Sequence, residues 1–147
     1  MELSDAYIAS FIPERDELLL EMERFAEENH VPIMQLAGIE SLNQLLRIQN
    51  PKSILEIGTA IGYSAMRMAQ ALPDCQIVTI ERDTARVQYA KQFIARSQVK
   101  DRIQVIEGDA LEVEVESIQP TFDAVFIDAA KGQYMKFFEK YAPLVPS

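Results

Sequence analysis

The sequence has few of the residues that stabilise small domains by covalent or metal cross-links. Its 147 residues include one cysteine, Cys75, one histidine, His30, and no tryptophan. A single cysteine excludes an internal disulfide, and one cysteine with one histidine cannot supply the four ligands of a structural zinc site. A reducing compartment suits such a chain, so we expect a cytoplasmic protein.

Basic residues and long apolar runs are also scarce. Lysine and arginine number 14 against 23 aspartates and glutamates, which gives a formal net charge of −9. This balance argues against a nucleic-acid surface spread over the chain, although it allows a local basic patch around Arg96 and Lys100. No apolar run approaches the roughly 20 residues of a membrane-spanning helix, so no membrane partner is expected.

The spacing of apolar residues divides the chain into two segments, residues 1–50 and residues 51–147. We expect the two segments to form one domain. The first part has apolar residues at helical spacing, and we interpret them as faces that pack on the core. They are Leu18, Met22 and Phe25 in a helix that opens at Pro13, and Leu36, Ile39, Leu42, Leu45 and Leu46 in a second helix.

From residue 51 onward, short apolar strands alternate with helical segments. The four strands are expected at "KSILEIG", "QIVTIE", "RIQVIEG" and "FDAVFID". Alternation of this kind predicts βαβ units with right-handed crossovers. The expected fold class is therefore α/β, with a Rossmann-like doubly wound parallel sheet preceded by the N-terminal helices. Ligands of such sheets bind beyond the carboxyl ends of the strands.

The fourth expected strand, "FDAVFID", is nearly continuous in apolar residues, as is typical of a strand covered on both faces. In the strand order 3-2-1-4-5 it would lie between the first strand and a fifth. The sequence stops at "YAPLVPS", where a fifth strand would begin. We therefore expect a chain truncated after the fourth strand and its helix, with an apolar sheet edge that favours self-association.

The glycine turn in "ILEIGTAIGYSA" has the wrong spacing for a dinucleotide. Counted from Gly58, the G-x-G-x-x-G pattern needs glycines where Ala60 and Tyr63 stand. Glu56 precedes the turn, where a carboxylate would repel a pyrophosphate and attract a cation. S-adenosylmethionine is an adenosine cofactor with a cationic amino-acid end and no phosphate, and we expect Glu56 and Ser64 near that end. Alternatively, Glu56 only caps the turn.

Acidic residues also stand at the ends of the next two strands. Glu81 is placed to accept hydrogen bonds from a ribose diol, which both nicotinamide cofactors and S-adenosylmethionine have. Gly108 would let the backbone approach a ligand, and Asp109 could accept from an adenine amino group. The alternatives are a solvated strand end for Glu81 and a simple cap for Asp109. Asp83 is expected to cap the helix that follows it.

Asp128 and Lys131 follow the fourth strand. A carboxylate is a hard oxygen ligand that suits Mg²⁺ or another divalent cation. A lysine loses its proton more readily beside a cation or when it is desolvated, so the pair could carry out proton chemistry. The alternative is that Asp128 caps the last helix and Lys131 is a surface lysine.

Together, "LEIGTAIGYSA", "TIERD", "EGDA" and "FIDAAKGQY" resemble, in order and spacing, the motifs of cation-dependent class I O-methyltransferases, which include catechol and caffeoyl-CoA O-methyltransferases. The resemblance covers residues 31–146, and with "HVPIM" it is strongest to bacterial tRNA 5-hydroxyuridine methyltransferases. It implies that S-adenosylmethionine lies near a set of residues, that Asp128 binds Mg²⁺, and that Lys131 is the catalytic base. The set is Met34, Ser64, Glu81, Asp109 and Asp128. The family's next segment carries an Asp-Asn pair that completes the metal site.

Three classes of function remain open. The first is a Mg²⁺-assisted O-methyltransferase that acts on tRNA 5-hydroxyuridine, or alternatively on a small-molecule hydroxyl such as a catechol, as a homodimer. The second is a nicotinamide-dependent enzyme, which the glycine spacing disfavours. The third is a nucleotide-binding module without catalysis.

Overall fold

The computed structural model describes residues 15–128, 139–140 and 142–146. Its four strands are parallel neighbours in one sheet, in the order β3-β2-β1-β4. This is the order of a doubly wound sheet, and it confirms the expected fold class. The strands are β1 (Ser53–Ile57), β2 (Gln76–Glu81), β3 (Ile103–Glu107) and β4 (Ala124–Ile127).

Four α-helices accompany the sheet in the described part of the chain, and none of them is long and apolar enough to cross a bilayer. Two precede β1, one connects β1 to β2 and one connects β2 to β3. They are α1 (Glu17–Glu28), α2 (Leu36–Gln49), α3 (Tyr63–Ala71) and α4 (Thr84–Ala95). Short 3₁₀ helices span Lys100–Arg102, Val115–Ser117 and Ala142–Leu144.

The first described helix, α1, begins with a side-chain cap. Asp16 is extended, and its carboxylate accepts a hydrogen bond of 2.8 Å from the backbone N–H of Leu19. An N-cap of this kind satisfies one of the unpaired donors of the first turn, so α1 begins at Glu17. The predicted start at Pro13 lies outside the described residues. Met22 is buried, and Phe25 packs partly buried against the same core.

The predicted packing face of α2 is wrong at one position. Ile39 and Leu46 are buried, whereas Leu45 is 61% exposed. Successive helical residues point about 100° apart, and the face of α2 that packs on the core includes Leu46 but does not extend to Leu45.

Apolar residues cover both faces of the sheet. On β1 and β2, Ile54 and Ile77 belong to the cluster that contains the buried sides of the four helices. Their strand neighbours Leu55 and Val78 belong to a second cluster on the opposite face, together with Phe122. This alternation follows from the two-residue period of a strand, and it places the core on both sides of the sheet.

The fourth strand is less enclosed than its apolar sequence suggested. All four residues of β4 are only partly buried. Within the described ranges it pairs with β1 alone and forms one edge of the sheet, as expected.

The turn after β1, residues 58–62, passes very close to the end of β4. Gly58 has a φ of +102°, and a Cβ added there would lie 2.1 Å from the backbone oxygen of Asp128. Gly62 has a φ of +88° and is the N-cap of α3. Only glycine fits at Gly58, because both the backbone conformation and the available space exclude a side chain.

Gly58→Ala is therefore expected to lower the free energy of unfolding by about 3 kcal/mol or more. Gly38→Ala is the matched control, because Gly38 lies within α2 and a Cβ there would sit 3.4 Å from the Met34 Cε, at the edge of ordinary contact. The control should gain up to about 1 kcal/mol from better helix propensity. Urea denaturation measures both, and equal stabilities for the two variants would contradict the described turn.

Candidate functional site

A cavity of about 500 Å³ lies at the carboxyl ends of the strands. It is formed by the ends of β1, β2 and β4, the start of α4 and the segment between α1 and α2. Four of the predicted site residues line it: Met34, Gly58, Glu81 and Asp128. The other lining residues are Pro32, Ile33, Ala60, Arg86 and Phe126.

Glu81 joins the turns that follow β1 and β2. One carboxylate oxygen accepts a hydrogen bond of 2.9 Å from the backbone N–H of Ala60, and the other accepts one of 3.0 Å from the N–H of Asp83. Each carboxylate oxygen has room for a second donor. Glu81 can therefore fix both turns and still accept hydrogen bonds from a ribose diol in the cavity.

Glu56 lies beneath the glycine turn and does not line the cavity. Its side chain has no exposed surface. The hydroxyl of Ser64, itself buried, donates to one carboxylate oxygen, and the Thr79 hydroxyl donates to the other at 2.6 Å. Both predicted contacts of Glu56 and Ser64 with a cofactor stay predictions, because in this structure the two side chains bind each other.

The environment of Glu56 raises its pKa to about 7. Burial is the main cause, and the nearby carboxylates of Asp128 and Glu81 act in the same direction. The hydrogen bonds from Ser64 and Thr79 oppose the shift. The group therefore titrates near neutral pH.

Asp128 stands at the rim of the cavity. Its backbone N–H donates to the carbonyl of Ile57 at 2.9 Å, and partial desolvation of its carboxyl group raises its pKa. Among the residues that the structure describes, no group of three or more His, Cys, Asp or Glu side chains could hold a metal ion. Asp128 has the chemistry of one Mg²⁺ ligand, but the described residues do not complete a site. Lys131 lies outside the described residues.

Gly108 and Asp109 form the turn after β3. The N–H of Gly108 donates to the carbonyl of Glu81 at 2.9 Å, and one carboxylate oxygen of Asp109 accepts from the N–H of Leu111 at 2.9 Å. Neither residue is among those found to line the cavity. The hydrogen bond of Asp109 agrees with the capping alternative, and its contact with adenine stays a prediction.

The helix cap after β2 is confirmed, and the structure adds residues that sequence reasoning missed. Asp83 accepts from the N–H of Arg86 at 3.0 Å, as a cap does. Arg86 also lines the cavity. Thr79 and Thr59 join the buried side of the site, with 2.7 Å between their hydroxyl oxygens. The sequence feature that could have indicated Thr79 is its position as a polar residue inside the apolar run "IVTIE".

The described motifs fit one family of known proteins. The O-methyltransferase family model matches residues 9–147. This chain belongs to that family. It is 36% identical over 109 residues to a caffeoyl-CoA O-methyltransferase of Populus kitakamiensis, covering 71% of this chain and 46% of the relative. It is 30% identical over 144 residues to a catechol O-methyltransferase of Niastella koreensis, covering 94% of this chain and 65% of the relative.

Solved structures agree with this membership. An O-methyltransferase from Bacillus cereus, solved in complex with SAH, superposes with a TM-score of 0.85 at 30% identity, covering 97% of this chain and 67% of that one. The chain thus spans 46% and 65% of the two curated relatives described above. The shared fold extends over nearly all of this chain and part of each relative.

Glu56→Gln tests the buried acid through the pH dependence of stability. Because the folded-state pKa of Glu56 is about 7 against 4.5 for the ordinary group, the folded chain holds a proton that the unfolded chain releases. This stabilisation is complete below the lower value and is lost as the pH rises through the higher one. The free energy of unfolding, wild type minus variant, should fall by about 3 kcal/mol between about pH 4.5 and pH 8.

Urea denaturation at a series of pH values measures the difference. Glu116→Gln serves as the control, because this acid is exposed. A difference between wild type and Glu56→Gln that stays constant over the whole range would contradict a raised pKa for Glu56.

Proposed function

We propose that this chain provides the cofactor site of an S-adenosylmethionine-dependent O-methyltransferase. The observation that carries the proposal is the cavity of about 500 Å³ at the carboxyl ends of the strands, where Gly58 and Glu81 meet. Glycine lets the backbone approach the cofactor, and Glu81 accepts from the ribose diol. The family membership supports the same reaction class.

The charges around the cavity favour S-adenosylmethionine over a nicotinamide cofactor. Two acids, Glu81 and Asp128, line the cavity with one arginine, Arg86. A third acid, Glu56, lies directly beneath the turn. Such a site suits a sulfonium and an ammonium group and disfavours a pyrophosphate. The SAH-bound relative from Bacillus cereus supports this choice of cofactor.

The reaction is an in-line displacement at the sulfonium methyl group. The acceptor hydroxyl loses its proton, the C–O bond forms, and S-adenosylhomocysteine leaves. We assign Lys131 as the base, as the family resemblance implies, and the cavity walls supply proximity. A divalent ion at Asp128 would lower the pKa of the acceptor hydroxyl. Since the described residues supply one ligand, no step is assigned to that ion.

The acceptor is either a small-molecule hydroxyl or 5-hydroxyuridine of tRNA. The names of the relatives favour a catechol-like or caffeoyl-CoA-like hydroxyl. The charge of −9 also favours a small molecule, and Arg96, which a basic patch would need, is paired with Glu21. The motif resemblance favours tRNA, which is the second candidate. The expected homodimer and cytoplasmic location stay predictions.

Glu81→Ala should weaken the binding of S-adenosylhomocysteine at least tenfold. The variant loses the two proposed hydrogen bonds from the ribose, each worth roughly 1.5–3 kcal/mol, together with the bonds that fix the turns after β1 and β2. Glu107→Ala is the control, because Glu107 is the register partner of Glu81 on β3 and is exposed. Titration calorimetry with S-adenosylhomocysteine, and with NAD as the competing ligand class, measures the effect. Tighter binding of NAD would overturn the proposed cofactor.

Methyl transfer from labelled S-adenosylmethionine to a catechol or caffeoyl-CoA acceptor tests the reaction; we expect little or no transfer by these 147 residues alone, and any transfer should stop when EDTA removes the divalent ion. The parallel assay uses tRNA from a strain that lacks 5-methoxyuridine. Label on tRNA alone would select the second acceptor. Transfer that survives EDTA would remove the metal ion from the proposal.

A further inference from the structure

Three buried side chains form a line of short hydrogen bonds from β1 to the glycine turn. Glu56 on β1 and Thr79 on β2 are register partners in the sheet. The Thr79 hydroxyl lies 2.6 Å from a carboxylate oxygen of Glu56 and 2.7 Å from the hydroxyl of Thr59. The exposed fractions are 0% for Glu56, 0% for Thr79 and 1% for Thr59. Bulk water therefore does not compete for these bonds.

The number of hydrogens on each group determines which groups in this line donate and which accept. A hydroxyl has one hydrogen to donate, so Thr79 cannot donate to Glu56 and Thr59 at once. When Glu56 is ionised, its carboxylate only accepts, so Thr79 donates to Glu56. Thr59 must then donate to Thr79, and its hydroxyl is fixed.

The same carboxylate reaches the other end of the turn. Its second oxygen accepts from Ser64, in the first turn of α3 and two residues beyond Gly62. Glu56 therefore holds residues 58–62 at both ends, through Thr79 at the start and through Ser64 at the end. Ala60, which lines the cavity, lies between the anchored residues Thr59 and Ser64, and Gly58, which also lines it, directly precedes Thr59.

We propose that Thr79 is a positioning residue for the cofactor site: its hydroxyl links Glu56 to Thr59 and so fixes the glycine turn, without touching the cofactor. The inference rests on the proposed function, because it takes the cavity above the turn as the site of S-adenosylmethionine.

Protonation of Glu56 would reverse one of its two hydrogen bonds, because a neutral carboxyl group carries its proton on one oxygen and accepts at the other. With the proton on the oxygen that faces Thr79, Thr79 donates to Thr59, and the hydrogen of Thr59 loses its acceptor. With the proton on the oxygen that faces Ser64, the Ser64 hydroxyl becomes the acceptor, and its hydrogen loses its partner. The charged groups that act on Glu56 are Glu81 at the end of β2 and Asp128 after β4, while α3 contributes the neutral Ser64 hydroxyl. The turn is therefore best ordered when Glu56 is ionised, and affinity should rise with pH through the titration of Glu56.

The test is calorimetry with S-adenosylhomocysteine between about pH 5.5 and pH 8.5 on four proteins: wild type, Thr79→Val, Thr79→Ser and Thr59→Val. Thr79→Val keeps the shape of the side chain and removes its hydroxyl. We expect affinity to fall about tenfold at neutral pH. The midpoint of the pH profile should also move to higher pH, because Glu56 loses a hydrogen bond that favours its ionised form.

The two other variants separate positioning from general damage to the fold. Thr79→Ser keeps the hydroxyl and should restore both affinity and midpoint. Thr59→Val breaks only the outer bond, so it should weaken affinity and leave the midpoint unchanged. A purely structural role of Thr79 would lower the free energy of unfolding and leave the affinity of the folded Thr79→Val variant unchanged.

The outcomes distinguish the inference about Thr79 from the proposed function. Thr79→Val with the affinity and midpoint of wild type would overturn this inference and leave the proposed function intact. Wild type that fails to bind S-adenosylhomocysteine would overturn the proposed function, and the role of Thr79 at a cofactor site with it. If Thr79→Val does not fold, the affinity of Thr59→Val for S-adenosylhomocysteine tests the inference instead. An affinity equal to that of wild type would then overturn it.

Discussion

The hydrogen bonds that Glu81 makes to two backbone N–H groups hold the whole site together. One comes from Ala60 in the turn after β1, and the other comes from Asp83 in the turn after β2. Parallel strands bring these turns to the same edge of the sheet, and the N–H groups of Gly58 and Thr59 tie the first turn to the carbonyl of Ile80 on β2. The carboxylate adds the link between the two turns. Its partner Ala60 has a φ of +48°, where non-glycine residues are uncommon.

The three acids of the region have different roles because their surroundings differ. Glu56 is fully buried between hydroxyl donors, Glu81 is nearly buried between backbone donors, and Asp128 is exposed at the rim. Backbone N–H groups can only donate, so the two partners of Glu81 hold its carboxylate in one orientation. Hydroxyl groups can donate or accept, so the partners of Glu56 accommodate either protonation state. Burial is the main cause of the raised pKa of Glu56, and its hydroxyl partners oppose the shift.

The parts of the molecule that local pattern determines were predictable from the sequence. The alternation of apolar strands and helices gave the parallel sheet, and Asp83 was recognised as a cap because a cap bonds residues three apart in the chain. The partners of Glu56 could not be found in this way. Thr79 is 23 residues away, and it meets Glu56 only through the register of β1 and β2. The exposed Leu45 was misassigned because an apolar stripe does not reveal how wide a face the core covers.

The burial of Glu56 links ligand charge to proton binding. Its pKa is raised by burial and, to a lesser degree, by the carboxylates of Asp128 and Glu81. A cationic ligand in the cavity would oppose the repulsion among these acids and favour the ionised form of Glu56. That form is the one in which Thr79, Thr59 and Ser64 all donate toward the carboxylate and both ends of the glycine turn are fixed. The charge of the proposed cofactor and the order of the turn that would bind it therefore reinforce each other, and a neutral or anionic ligand would lack this coupling.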